Sequence, residues 1–150
     1  MLNQFFETFD NLINEIVKSV DEEYSAYLSD EFSADIVNNR VAYSLLVEPE
    51  SNEAFRADFV SRFPIADKYS DFLLSILHEI GHLETACDMV DDIEKRKKIT
   101  DNKKYFKLFN ERIATDWAGF WLEDNPQLAR QFDDTITDCI ETKLFSLITD

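Results

Sequence analysis

Two glycines and three prolines are all that this 150-residue chain has for breaking its backbone into tight turns. Hairpin-rich folds spend those residues freely, so so few of them favour long helices joined by short connections. The apolar residues repeat to match. Leu2, Phe5, Phe6, Phe9, Leu12, Ile13, Ile16, Val17 and Val20 recur at three- and four-residue steps, which predicts an amphipathic helix over the first twenty residues. Phe55, Phe59 and Phe63 predict a short helix stopped by Pro64. Phe72, Leu73, Ile76, Leu77 and Ile80 predict another from about Ser70 to Thr85. Tyr105 to Trp121 repeats the pattern, and Asn125-Pro126 opens a last helix whose stripe is Leu128, Phe132, Ile136, Ile140, Leu144 and Ile148.

One stretch resists this reading. Between residues 33 and 47, Val37, Val41 and Leu45 suit a helix, but Val41 to Val47 is apolar enough to be a single strand, with Pro49 ending it in either case. The expected fold is therefore mostly α: one compact domain of five to seven helices, with at most a small β element at residues 41–47. The length and the 45% hydrophobic content suit one core, and neither repeats nor linkers divide it. Residues 1–65 form its N-terminal helical part, 70–122 its central helices and 125–149 its C-terminal helix.

Charge narrows the partners. A net charge of −16 repels a nucleic-acid backbone, which argues against direct nucleic-acid binding and favours either solubility or a basic protein partner. Seven of the fifteen basic residues (Lys95, Arg96, Lys97, Lys98, Lys103, Lys104 and Lys107) cluster in one segment, read as a solvated helix or loop. The N-terminus lacks both a basic start and an uninterrupted apolar run, so neither a signal peptide nor a membrane span is expected and the cytoplasm is the expected location. Cys87 and Cys139 are then reduced thiols filling core positions.

The chemistry-bearing residues lie on the helix expected at 70–85. The chain's two histidines, His78 and His82, are four residues apart in His78-Glu79-Ile80-Gly81-His82. On a helix that spacing places them on one face, about 5–6 Å apart at Cβ, within reach of one metal ion. Glu79 flanks that face and is placed to act as a general base on a water held there. Gly81 costs about 1 kcal/mol of helix propensity, which points to a close approach at that position by another chain segment or by the metal site. A catalytic zinc site takes three protein ligands and keeps one position for water, and with no histidine left the third ligand must be an acid or a cysteine.

The motif, together with the downstream stretch Asn110-Glu111-Arg112-Ile113-Ala114-Thr115-Asp116-Trp117-Ala118, resembles the gluzincin metallopeptidases, and among them the small ImmA/IrrE-type proteins of phages and mobile elements. The resemblance covers residues 70–122. It implies one zinc ion held by His78, His82 and Glu111, with Glu79 as general base in the hydrolysis of a specific protein substrate. Ala114 would let the two helices approach closely. Asp116 would accept the outer N–H of a ligand histidine, or serve as an alternative ligand. It lies one position later than the usual Glu-x-x-x-Asp spacing, which puts Thr115 in the expected place. Gluzincins also use a downstream His or Tyr to stabilise the oxyanion. Tyr105 is preferred for that role here, ahead of Arg112 and Arg130. The sequence shows no clear edge strand near the motif to hold an extended peptide. A second reading keeps the zinc fold without catalysis, as an acidic inhibitor or nucleic-acid mimic acting on a basic partner.

Overall fold

The computed structural model describes residues 2–45, 49–89 and 103–149, with side chains described at 7–45, 53–85 and 111–141. Among them are five α-helices: α1 (Leu2–Val20), α2 (Pro49–Arg62), α3 (Asp71–Met89), α4 (Lys103–Asp124) and α5 (Pro126–Thr149). Three short strands, β1 (Ser25–Leu28), β2 (Ser33–Asp35) and β3 (Arg40–Tyr43), lie between α1 and α2, and a 3-10 turn at Pro64–Lys68 joins α2 to α3. The fold is thus mostly α with a small β element. No helix among the described residues is long and apolar enough to cross a membrane. The basic cluster falls outside the described residues or on side chains that are not described.

Of the two readings open for residues 33–47, the small β element is the one that forms. The strand is Arg40–Tyr43, and it sits between two others, parallel to β1 (Ala26 opposite Val41) and antiparallel to β2 (Ala34 opposite Val41). Asp35 builds the β2–β3 turn: its carboxylate accepts from the Val37 and Asn38 backbone N–H groups at 3.2 and 3.1 Å. Asn39 then takes the left-handed conformation, φ 56°, that asparagine tolerates better than most residues.

The two outer edges of this sheet are treated differently. Along β1, the Asn14 side chain of α1 accepts from the Ala26 N–H at 2.8 Å and donates to the Ala26 carbonyl at 3.1 Å, while Lys18 Nζ donates to the Tyr24 carbonyl at 2.9 Å. A helix side chain therefore closes that edge, one of the ways proteins blunt an open strand. On the other side, β2 is the outer strand and packs against α3, with Phe32 meeting Phe72 edge-to-face at 5.4 Å.

The core joins α1, the sheet and α3. Phe9, Ile13, Ile16 and Val17 of α1 are fully buried, as the periodicity predicts, against Val41 and Tyr43 of β3 and Leu73, Ile76, Leu77 and Ile80 of α3. Phe9, Tyr43 and Phe72 form an aromatic triangle with centroids 5.4–6.2 Å apart. Tyr43 donates its hydroxyl to Asp10 at 2.7 Å. Cys139 packs half-buried against this core, as do Trp117 and Trp121, and the Cys87 side chain lies outside the described set.

The start of α3 is anchored from both sides. Ser70 caps it, its hydroxyl accepting from the Leu73 N–H at 3.2 Å and donating to buried Asp133 of α5 at 2.5 Å. A carboxylate there also meets the positive end of the helix dipole. Arg56 of α2 donates to the Tyr69 and Asp67 carbonyls and to Asp71, each at 2.8 Å, which pins the connecting turn. Asn125 links the last two helices: its backbone and side-chain N–H groups donate to Trp121 and its carbonyl accepts from Ala129, so it closes α4 and opens α5.

The closest helix contact is between α3 and α4. A Cβ placed on Gly81 would collide with the Ala114 carbonyl oxygen and lie 3.0 Å from the Ala114 Cα. Gly81 therefore accepts its propensity cost so that two backbones touch, as expected for a glycine in the middle of this helix. Gly81→Ala should destabilise the protein by about 1–3 kcal/mol, although alanine is the better helix former. Urea denaturation measures this, and an unchanged or raised midpoint would refute the contact.

Candidate metal centre

The α3–α4 crossing brings two stripes together. On α3, His78, Gly81, His82 and Thr85 occupy positions i, i+3, i+4 and i+7 of one face. On α4, Glu111, Ala114, Thr115 and Ala118 do the same. Where the stripes meet, the Glu111 carboxylate spans both histidines, with Oε2 2.6 Å from His78 Nε2 and Oε1 3.2 Å from His82 Nε2. The two imidazoles stand edge-to-face, their centroids 4.8 Å apart. Phe55 of α2 packs edge-to-face on His78 at 5.3 Å, so the ring is held from a third side.

His78 is almost fully buried, at 5% exposure, and its other nitrogen, Nδ1, lies 2.9 Å from the hydroxyl of equally buried Thr115. Asp116, expected to fill that role or to act as a ligand, is elsewhere. Its carboxylate pairs with Arg62 of α2. Helix geometry accounts for the correction: Thr115 is four residues beyond Glu111 and shares its face, whereas a fifth residue is carried about 140° round the axis, toward α2.

The electrostatics follow from the contacts. Hydrogen bonds from His78 and His82 hold the Glu111 carboxyl far below the usual carboxylate range, against the opposing effect of partial burial. Burial works against a charged His82, but its hydrogen bond to Glu111 and the charges of Glu79 and Glu111 outweigh it and raise its pKa. Burial also raises Glu79, opposed by His78 and His82 and reinforced by Glu111 and by Glu31, which lies just before β2. One potential ligand atom from each of His78, Glu79 and His82 lies within 4.8 Å of the others.

No known protein family, curated protein or solved structure matches the chain. The donor set must therefore be judged by its own chemistry. Around a tetrahedral zinc, ligand atoms bonded at about 2.0–2.1 Å sit about 3.3 Å from one another. The 3.2 Å separation of Glu111 from His82 is close to that spacing and the 2.6 Å separation from His78 is shorter, so an ion among them would require Glu111 to draw back from His78. Two imidazoles and one carboxylate suit zinc and neighbouring divalent metals. The two acids divide by contact: Glu111 touches both Nε2 atoms, while Glu79 stands beside them.

The expected oxyanion partners are less well placed. The Tyr105 side chain lies outside the described set. Arg112 is exposed. Arg130 turns to the Lys68 carbonyl at 2.6 Å and lies near Asp133 and Asp134, beyond the N-terminal end of α3 and away from the motif at its middle. In the other direction, β2 supplies what the sequence did not reveal, an edge strand against the motif helix. Its three residues, Ser-Ala-Asp, carry no apolar alternation by which it could have been recognised.

The pairing of Glu111 with the histidines predicts a pH signature for protein stripped of metal. A lowered carboxyl contributes stability above its unfolded value of 4.5, and loses it as pH falls. A raised histidine contributes below its unfolded value of 6.5, and loses it as pH rises through the folded one. The destabilisation caused by Glu111→Gln, measured with chelator present, should therefore peak between about pH 4.5 and 6.5 and shrink on both sides. A pH-independent loss would contradict the pairing.

Proposed function

We propose that the protein is a zinc-dependent peptidase acting in the cytoplasm on a specific protein substrate, with gluzincin-like chemistry. The observation that carries this reading is the convergence of His78, His82 and Glu111 through atoms 2.6–3.2 Å apart, with the Glu79 carboxylate beside them. His78, His82 and Glu111 would hold the ion, with Glu79 as general base. Bound zinc would supply Lewis acidity toward a water molecule and the peptide carbonyl.

The protein's own groups do the rest. Glu79 takes a proton from the attacking water as its oxygen bonds to the carbonyl carbon, and returns that proton to the amine as the C–N bond breaks. Burial suits this role, because a carboxyl raised above its ordinary range is a stronger base once ionised. Of the sheet's two outer strands, β1 is closed by Asn14 and β2 lies on α3, which favours β2 as the strand that pairs with an extended substrate.

The net charge of −16 supports a second reading, in which the same zinc fold occupies a basic partner without cleaving it, as an inhibitor or nucleic-acid mimic. Glu79 separates the two, since a binder has no use for a general base.

Purified protein should bind one zinc ion per chain, and His78→Ala or His82→Ala should abolish that binding in a direct metal assay. Glu79→Gln should keep the zinc. Zinc-loaded wild type and Glu79→Gln can then be incubated with a cell extract and the new protein N-termini identified by mass spectrometry. Cleavage by the wild type and none by the variant is the expected result. Equal cleavage by both, or none by either, would reject the peptidase and leave the acidic binder.

A further inference from the structure

A histidine binds a metal only through a nitrogen that carries no proton, so the other ring nitrogen must carry one and deliver it to an acceptor. His78 presents Nε2 to Glu111. Its proton must then sit on Nδ1 when a metal is held. At 5% exposure the ring has little access to solvent, and Nδ1 meets the Thr115 hydroxyl at 2.9 Å. Thr115 is itself 4% exposed, so water does not readily take its place.

We propose that Thr115 is the positioning residue of the metal centre: its hydroxyl oxygen accepts the His78 Nδ1–H, and so fixes both the tautomer and the plane of the ring. This rests on the zinc-site reading above. Three further observations support it. Asp116, the neighbouring acid, is committed to Arg62 and faces away. Phe55 holds the His78 ring at 5.3 Å but offers no acceptor, so it restrains the plane without choosing the tautomer. Thr115 also stands one helical turn beyond Glu111, next to Ala114, whose carbonyl abuts Gly81. The backbone contact that sets the height of α4 against α3 therefore places the carboxylate and the orienting hydroxyl together.

A hydroxyl does this work differently from a carboxylate. It accepts the hydrogen bond but brings no negative charge, so it acts on His78 by orientation rather than by neutralising the site.

The test is a competition titration of metal-stripped protein with zinc against a chromophoric chelator, for wild type, Thr115→Val and Thr115→Ser. Thr115→Val keeps the shape and loses the acceptor, and should weaken zinc binding on the order of 10–100-fold. Thr115→Ser keeps the acceptor and should restore most of the affinity. Wild-type zinc affinity in Thr115→Val, or a loss in Thr115→Ser as large as in Thr115→Val, would overturn the proposal while leaving the metal site standing. Absence of zinc binding by the wild type would overturn both. Should Thr115→Val fail to fold, Thr115→Ser and Thr115→Ala differ by the hydroxyl alone. A gap in affinity between them of about tenfold or more then supports the role, and no gap rejects it.

Discussion

The separation of α3 and α4 is set where Gly81 meets the Ala114 backbone, and the distances from Glu111 and Thr115 to the histidines descend from that contact. Side chains on facing helices reach a common point only if the axes are close enough for short groups to meet. With a β-carbon at residue 81 the axes would have to part, and a carboxylate 2.6 Å from His78 would be drawn away with α4. A glycine that weakens its own helix is thus what allows the histidines of one helix and the glutamate of another to act as one group. The Ser70–Asp133 cap and the Arg56 contacts fix the start of α3, so the crossing has a rigid reference.

The same architecture places a strand beside the centre. Three short strands make a weak sheet on their own. This one is held by the aromatic triangle of Phe9, Tyr43 and Phe72 beneath it and by Asn14 along one edge. Both β2 and β3 lie against α3, and β2 is the outer of the two. Glu31, just ahead of β2, adds its charge to the surroundings of Glu79, so the sheet contributes to the electrostatics of the centre as well as to its outline.

The helices were legible because their apolar residues recur with the helical period over long stretches, and α1 buries the residues that its spacing picked out. The motif was legible for the same reason: four residues on a helix fix where two histidines point. The sheet was not. Ser25–Leu28 and Ser33–Asp35 are three or four residues long and gain their stability from β3, from Asn14 and from α1, none of which local sequence displays. Glu111 and the close approach at Ala114 came from a resemblance rather than from periodicity, and both lie at the crossing. Which residue of α4 faces the His78 ring stayed open in the sequence between Asp116, with the more familiar chemistry, and Thr115; Thr115 has the right phase on α4, and phase decides which side chain faces α3.

The central claim is that one divalent ion is held by two histidines and a carboxylate, without sulfur. X-ray absorption at the zinc edge, on protein loaded with one equivalent, tests it most directly. The account predicts a first shell of nitrogen and oxygen at about 2.0–2.1 Å with the multiple scattering of two imidazoles. A scatterer at about 2.3 Å, the distance of a cysteine sulfur, or a spectrum with fewer than two imidazoles would contradict it.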